Sequence, residues 1–429
     1  MPFRTAISGL NASSAELRVI GNNIANAGTV GFKGSRAEFA DVLPVSKLGT
    51  GTLSVGSGVQ LSGVRQQFGQ GNINFTNNNF DLAVNGQGFF RMSENGAISY
   101  SRNGAFGLDD EGYVVNSSGL RLTGFQATNG TVTGTQGELQ LSLADNDPKT
   151  TAAITANLNL DATEVAKDGG DPALALTVAA LQDDGTPFVP PRFEPPPADS
   201  YNQATSFTGF DSLGVPHTIT TYFRKTGNNA WTVEMSLDNQ AFVAPAEGTA
   251  ITFDNTGSLI TPAGPPVGTL TYAAIPVGTG AADMAYTIAL EDTTQFGAAF
   301  GVNSLTQDGF TTGRLASVDV DSAGIIFGRY TNGQSQALGQ ALLANFNNPE
   351  GLRQLGDTTW TETAASGSAL VGTPGSSSLG VIQSGALEDS NVDLTQQLVQ
   401  LITAQRNFQA NAQVINTADQ ITQTIINLR

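Results

Sequence analysis

His217 is the single histidine of a 429-residue chain that has no cysteine, and this narrows the chemistry open to it. A histidine base needs a nucleophile to serve, and neither a cysteine nor a Gly-x-Ser-x-Gly elbow is present. Asp319 and Asp321 with Gly324 follow the opening of a calcium loop. Ala323 at the fifth position and Tyr330 at the twelfth, where a bidentate Glu is required, break the pattern, so this is read as a turn between strands. Asp109-Asp110-Glu111-Gly112 reads as a polar hairpin tip, and Asp183-Asp184 as solvated acids beside a proline cluster. Gly86-x-Gly88 fails as a dinucleotide fingerprint because Arg91 occupies the sixth position. The glycine-rich run from Gly49 to Gly63 lacks the Lys-Ser/Thr ending of a phosphate loop. No catalytic residue, cofactor or metal site is expected, and the chain is not read as an enzyme. Arg4, Arg18, Lys33 and Arg36 form a modest basic cluster, read as surface or inter-subunit salt-bridge residues.

Composition points the same way. Charged residues make up only 13% and the net charge is −18, so few Lys or Arg are available to neutralise nucleic-acid phosphates. No apolar run approaches the roughly 20 residues of a membrane span, and no apolar signal-peptide core opens the chain. At this length two to four domains are expected.

The elements that organise the chain are its two ends. From Ala386 to Arg429 the sequence has neither Gly nor Pro, although the chain holds 50 and 18 of them. Leu394, Leu398, Leu401, Phe408, Ala412 and Ile415 fall at spacings of four, three and seven, a heptad seam. The stripe then shifts by three and continues through Ala418, Ile421, Ile425 and Leu428. Ser390 with Asp393 reads as a capping box, giving a helix from Asn391 to Leu428 about 57 Å long. Its other face is rich in Gln and nearly uncharged, which suits packing against protein on several sides. At the opposite end Phe3, Ile7, Leu10, Leu17 and Ile24 take heptad positions, with Ser14 and Gly21 in the other two. Two such helices are expected to pack on each other, everything between them being an insertion.

Between them the pattern is β. Asn85-Gly86, Asn95-Gly96, Asn103-Gly104 and Glu111-Gly112 are read as hairpin turns, and Val45 to Gly63 as an extended loop. A proline cluster at Pro187, Pro190, Pro191, Pro195, Pro196 and Pro197 reads as a stiff extended loop. Strand-like runs follow at 218–223, 231–237, 250–253 and 270–273. The expected fold is multidomain α+β, with terminal helices forming a coiled-coil-like inner domain and nested all-β domains inserted between them. The divisions are 1–34 with 386–429 (helical), 35–75 with 365–385 (connector), 76–144 with 293–364 (inner β) and 145–292 (inserted outer β).

The run Asn22-Asn23-Ile24-Ala25-Asn26 leading into Gly31-Phe32-Lys33 resembles the N-terminal signature of the bacterial flagellar rod and hook axial proteins. Ser384 to Leu394 is similar to that family's C-terminal signature, and Phe68 to Gly71 and Asp81 to Phe90 continue the likeness. Tyr201-Asn202, Asp211 to Gly214, Pro216-His217 and Trp231 to Val233 resemble the outer domain that the hook branch has and the shorter rod members lack. The resemblance implies a structural subunit of the flagellar hook, outside the cell, stacked into a curved helical tube that acts as a universal joint between motor and filament. It also implies partners: further copies of the chain, a distal rod protein, a hook-filament junction protein, a hook cap and the flagellar export apparatus, with no nucleic acid and no membrane insertion. A distal rod or junction subunit is the alternative within the class. A surface glycan-binding β domain, using Trp231, Tyr222 and Tyr272 as stacking faces, is the alternative outside it.

Overall fold

The computed structural model describes residues 2–42, 56–167, 200–238, 248–263, 267–278 and 280–427. The proline cluster, Asp183-Asp184, Leu428 and the side chain of Ile425 lie outside the described residues. The chain forms two compact units. The first takes Met1–Leu143, Ala316–Arg329 and Ser335–Arg429; the second takes Ala144–Leu315 and Tyr330–Gln334.

The first unit begins and ends in helix: α1 spans Pro2–Ala25 and α2 spans Leu394–Asn427. At 34 residues α2 is about 51 Å long. It starts later than its capping box suggested. Asp393 is itself the cap, its Oδ1 accepting the backbone N–H groups of Thr395 at 2.8 Å and Gln396 at 3.2 Å. Part of the expected loop is a strand: Val59–Gln66 pairs antiparallel with Ser35–Asp41.

The body of this unit is a 13-stranded sheet system. Asn95-Gly96 is a two-residue hairpin turn as expected, with φ of 50° and 90°, joining Phe89–Glu94 to Ala97–Ser101. Asn85-Gly86 and Asn103-Gly104 are not hairpins. Leu82–Asn85 pairs instead with Val381–Ser384, far along the chain. At Gly104 a Cβ would lie 1.6 Å from the Leu82 carbonyl oxygen, so that glycine permits a close backbone approach. Leu82, Phe90, Met92, Leu122, Leu139 and Leu343 fill one core. A second gathers Phe89, Tyr100, Phe346 and Trp360 edge to face.

The second unit pairs two five-stranded sheets. One is built on Ala153–Asp161, flanked by Met284–Ala289, Thr294–Phe296 and Gly301–Gln307, with Thr269–Ile275 beyond Met284–Ala289; the other is Gln203–Phe210, Pro216–Gly227, Ala230–Leu237, Thr249–Phe253 and Leu259–Thr261. Alternate residues of Ala153–Asp161 point inward, and Ile154, Leu158 and Leu160 join Ile219, Phe223, Trp231, Val233 and Ile251 in one core. The return to the first unit therefore comes later than residue 293, because Gly301–Gln307 is held by Ala153–Asp161. Trp231, Tyr222 and Tyr272 are buried. They offer no stacking face to a sugar, which removes the platform of the glycan-binding alternative.

One turn recurs in both units. Asp109, Asn116, Asp211, Asp254 and Asp321 each stand three residues before a glycine with φ between +75° and +84°. In each, the Oδ1 atom accepts a backbone N–H from four residues on. The would-be calcium loop at Asp321 is such a turn.

Candidate functional site: the terminal helix pair and its clasp

α1 and α2 run antiparallel in a fixed register. A Cβ on Gly9 would lie 2.6 Å from Asn411 Oδ1, so the Asn411 side chain reaches over Gly9. Fourteen residues on, Asn23 Nδ2 donates to Gln397 Oε1 at 3.2 Å, and Gln397 lies fourteen residues back from Asn411. On α1 the buried positions are Ala6, Ser13, Ala15, Ile20 and Asn23. This seam lies one residue before the predicted one. Phe3 and Ile7 are exposed, and Leu10, Leu17 and Ile24 are only half-buried. Apart from Ile20 the buried positions are small or polar, and several large apolar residues stay open beside them.

The same correction applies to α2. Leu401, Phe408, Ala412 and Ile415 are half-buried toward α1, with Ala404 fully buried between them. Leu394 and Leu398, each 49% exposed, lie off the seam with Ile402, one helical turn apart. Near the far end Val414 and Ile421 are exposed and join Phe3 along an open groove of about 820 Å³. Thr403, Thr417, Thr422 and Thr424 donate their hydroxyls to carbonyls four residues back, so these hydroxyls are satisfied within the helix.

Where the helices enter the β body, the two signature motifs meet in a buried ion cluster. Lys33 is not a surface residue. Its Nζ donates to Glu388 Oε1 at 2.6 Å and to the Gly69 carbonyl at 2.8 Å, and both charged side chains are fully buried. Arg102 donates from Nη1 to Glu388 Oε2 at 3.2 Å and to the Val84 carbonyl, and from Nη2 to the Gly86 carbonyl at 2.7 Å. The Gly71 N–H adds a bond to Glu388 Oε1 at 2.8 Å, and the Gly31 N–H binds the Glu388 carbonyl at 2.7 Å. Burial pushes the Lys33 ammonium below its ordinary pKa, the charge and hydrogen bond of Glu388 oppose this, and Arg102 adds to the lowering. Burial likewise lowers Arg102 against the pull of Glu388.

The rest of the motif closes around this cluster. Gly31 has a φ of +69°, and a Cβ there would lie 2.5 Å from the Asn103 nitrogen, so only glycine fits. Phe32 is buried. Asn23 clasps Ser35 both ways, accepting its N–H at 2.9 Å and donating to its carbonyl at 2.7 Å. Asn22 and Asn26 cap the end of α1, Asn26 donating its side-chain N–H to the Asn22 carbonyl at 2.9 Å, while Ala25 is exposed. Asn391 accepts the Gly34 N–H at 2.8 Å and donates to the Gln67 and Gly69 carbonyls. Of the cluster, Arg102 carries no local sequence pattern. The only hint was opposite charge in the two end motifs of a chain poor in charge.

Nothing in this arrangement resembles a reaction centre. Among the described residues no group of three or more His, Asp or Glu is placed to hold a metal, and no helix is long and apolar enough to cross a membrane. His217 has both ring nitrogens facing carboxylates, at 2.5 Å and 3.2 Å.

What the arrangement does is bind the two chain ends into one element, and the likeness to known proteins is distributed accordingly. Residues 3–33 match the family described as flagella basal body rod protein, and residues 383–428 the flagellar basal body rod FlgEFG protein C-terminal family. Residues 83–170 match the flagellar hook protein FlgE/F/G D1 domain, and residues 180–310 the flagellar basal body protein FlaE D2 domain. The chain is 39% identical to the flagellar hook protein FlgE of Escherichia coli over 435 residues, covering all of both chains. It is 39% identical to that of Salmonella typhimurium over 441 residues, again with complete coverage, and 30% identical to that of Borreliella burgdorferi, covering 99% of this chain and 98% of the other. A crystal structure of Helicobacter pylori flagellar hook protein FlgE2 shares the fold, with a TM-score of 0.52 at 15% identity, covering 73% of this chain and all of that one. With paired termini, a buried clasp joining both end motifs, and full-length identity well above 30%, the chain belongs to the flagellar hook protein FlgE family.

Proposed function

We propose that the chain is a structural subunit of the bacterial flagellar hook, in the extracellular part of the flagellum, and that copies join through the uncovered flanks of the α1–α2 pair. The observation that carries this is the apolar surface the pair leaves open: beside the buried Ile20 and the half-buried Leu401, Phe408 and Ile415, further large apolar residues face outward. Leu394, Leu398, Val399, Ile402, Val414 and Ile421 are exposed on a helix bearing few charges. Water penalises such surface by roughly 25 cal/mol per Å², and burial against another copy relieves it.

The geometry favours an open polymer over a closed dimer. The Leu394–Ile402 stripe lies near the start of α2 and the Phe3–Val414–Ile421 groove near its end, about 29 Å apart between their centres along the helix. Contact between unlike patches propagates from copy to copy, whereas a patch meeting itself closes. The family resemblance extends the reading to a curved tube acting as a universal joint. Its neighbours would be a distal rod protein, a hook-filament junction protein and a hook cap, and its route out the flagellar export apparatus.

The test is electron microscopy of the purified full chain as its concentration is raised in precipitating salt. Curved hollow tubes are expected. Closed dimers of fixed size by light scattering under the same conditions would overturn the proposal.

A further inference from the structure

The turn at Asp211 differs from the other four of its kind. Asp211 is fully buried, whereas Asp109, Asn116, Asp254 and Asp321 are partly solvated. Its Oδ1 holds the turn by accepting the N–H groups of Leu213 at 2.9 Å and Val215 at 2.8 Å. Its Oδ2 faces His217 Nε2 at 3.2 Å. On the other side of the ring, Nδ1 lies 2.5 Å from Asp238 Oδ2, and Asp238 Oδ1 accepts the Thr218 N–H at 2.7 Å. The imidazole is thus clamped between the turn that joins Gln203–Phe210 to Pro216–Gly227 and the end of Ala230–Leu237.

A neutral imidazole carries one N–H. Between two carboxylates it would turn a lone pair toward one of them on a ring only 4% exposed, whereas the imidazolium donates to both. We propose that His217 is a proton-operated latch on the 211–217 turn, closed while both ring nitrogens are protonated and released when one proton leaves. The surface it controls is the turn's tip, where Leu213 and Val215 are exposed. The latch rests on this geometry alone and stands or falls independently of how copies assemble.

The charged groups acting on the ring are Asp238 and Asp211. Burial alone would push the imidazole's pKa down, but their hydrogen bonds and charges outweigh it and raise it above 6.5. The direction of the pH effect follows. A pKa raised in the latched state contributes stability that is fully present below 6.5 and lost as pH climbs through the raised value. Within that window, opening of the turn should become about tenfold more favourable per pH unit.

One histidine means one imidazole signal, so the full chain labelled with ¹³C-histidine reports the latch directly by NMR. The titration midpoint should lie above 6.5 and fall in Asp238→Asn, which keeps an acceptor for the Thr218 N–H. Hydrogen-exchange protection of Leu213 and Val215, corrected for the intrinsic rate, should drop with rising pH in the native chain and stay level in His217→Gln. A midpoint at or below 6.5, or one unmoved by Asp238→Asn, would overturn the latch. So would a drop in protection equally steep without the histidine.

Discussion

The core of the second unit and the seam between the terminal helices solve the same problem in opposite ways. In the second unit Trp231, Phe223, Ile219, Leu158 and Ile251 are sealed inside two sheets. Between the helices lie Ala6, Gly9, Ser13, Asn23, Ala404 and Asn411, while Phe3, Leu394, Leu398, Ile402 and Ile421 face outward. The first arrangement is complete in one chain. The second buries Ile20 and half-buries Leu401, Phe408 and Ile415 but leaves other large apolar side chains open, and an ion cluster ties it at its base. The difference separates a part closed within one chain from a part that leaves apolar surface uncovered.

The largest effect should come from that cluster. Glu388→Gln leaves Lys33 and Arg102 buried without a counter-charge, and loss of one partner of a buried pair costs about 3–5 kcal/mol. Thermal unfolding should show the helix-bearing unit melting earlier while the second unit's transition stays in place. If both moved together, the contrast between the regions would fail. Gly9→Leu should come next, at about 1–2 kcal/mol, because the added side chain must displace the Asn411 amide, a cost partly offset by the better helix propensity of Leu. Circular dichroism should show reduced helix stability with the β signal unchanged. Ile251→Val in the second core should cost about 0.5–1.5 kcal/mol, moving only the second transition in calorimetry. The smallest effect on folding should be Leu398→Asp, within about 0.5 kcal/mol, since Leu398 is half exposed.

Much of this architecture was legible in the sequence, and what escaped follows a pattern. The heptad spacing located both helices because a 3.5-residue repeat is hard to miss over such lengths. It misplaced the seam by one residue on α1, because apolar periodicity marks the largest side chains and the close contact is made by the smallest. Strands such as Ala230–Leu237 were readable from alternation and β-branched content. Asn85-Gly86 and Asn103-Gly104 misled, since the same dipeptide serves a hairpin or a close backbone approach, and only the long-range pairing of Leu82–Asn85 with Val381–Ser384 decides. Lys33 reads as a surface or inter-subunit salt-bridge cation because its counter-charge, Glu388, is 355 residues away in sequence. The two signature motifs were recognisable as motifs; that they close on each other through one carboxylate was visible only in three dimensions.

If copies meet through the uncovered flank of the helix pair, charging that flank should stop assembly and spare folding. The variant Leu398→Asp with Ile402→Asp places two charges on that flank without touching the seam. Its full-length monomer should melt as the native chain does, and electron microscopy in precipitating salt should show no tubes. Tubes of native form from this variant would contradict the account.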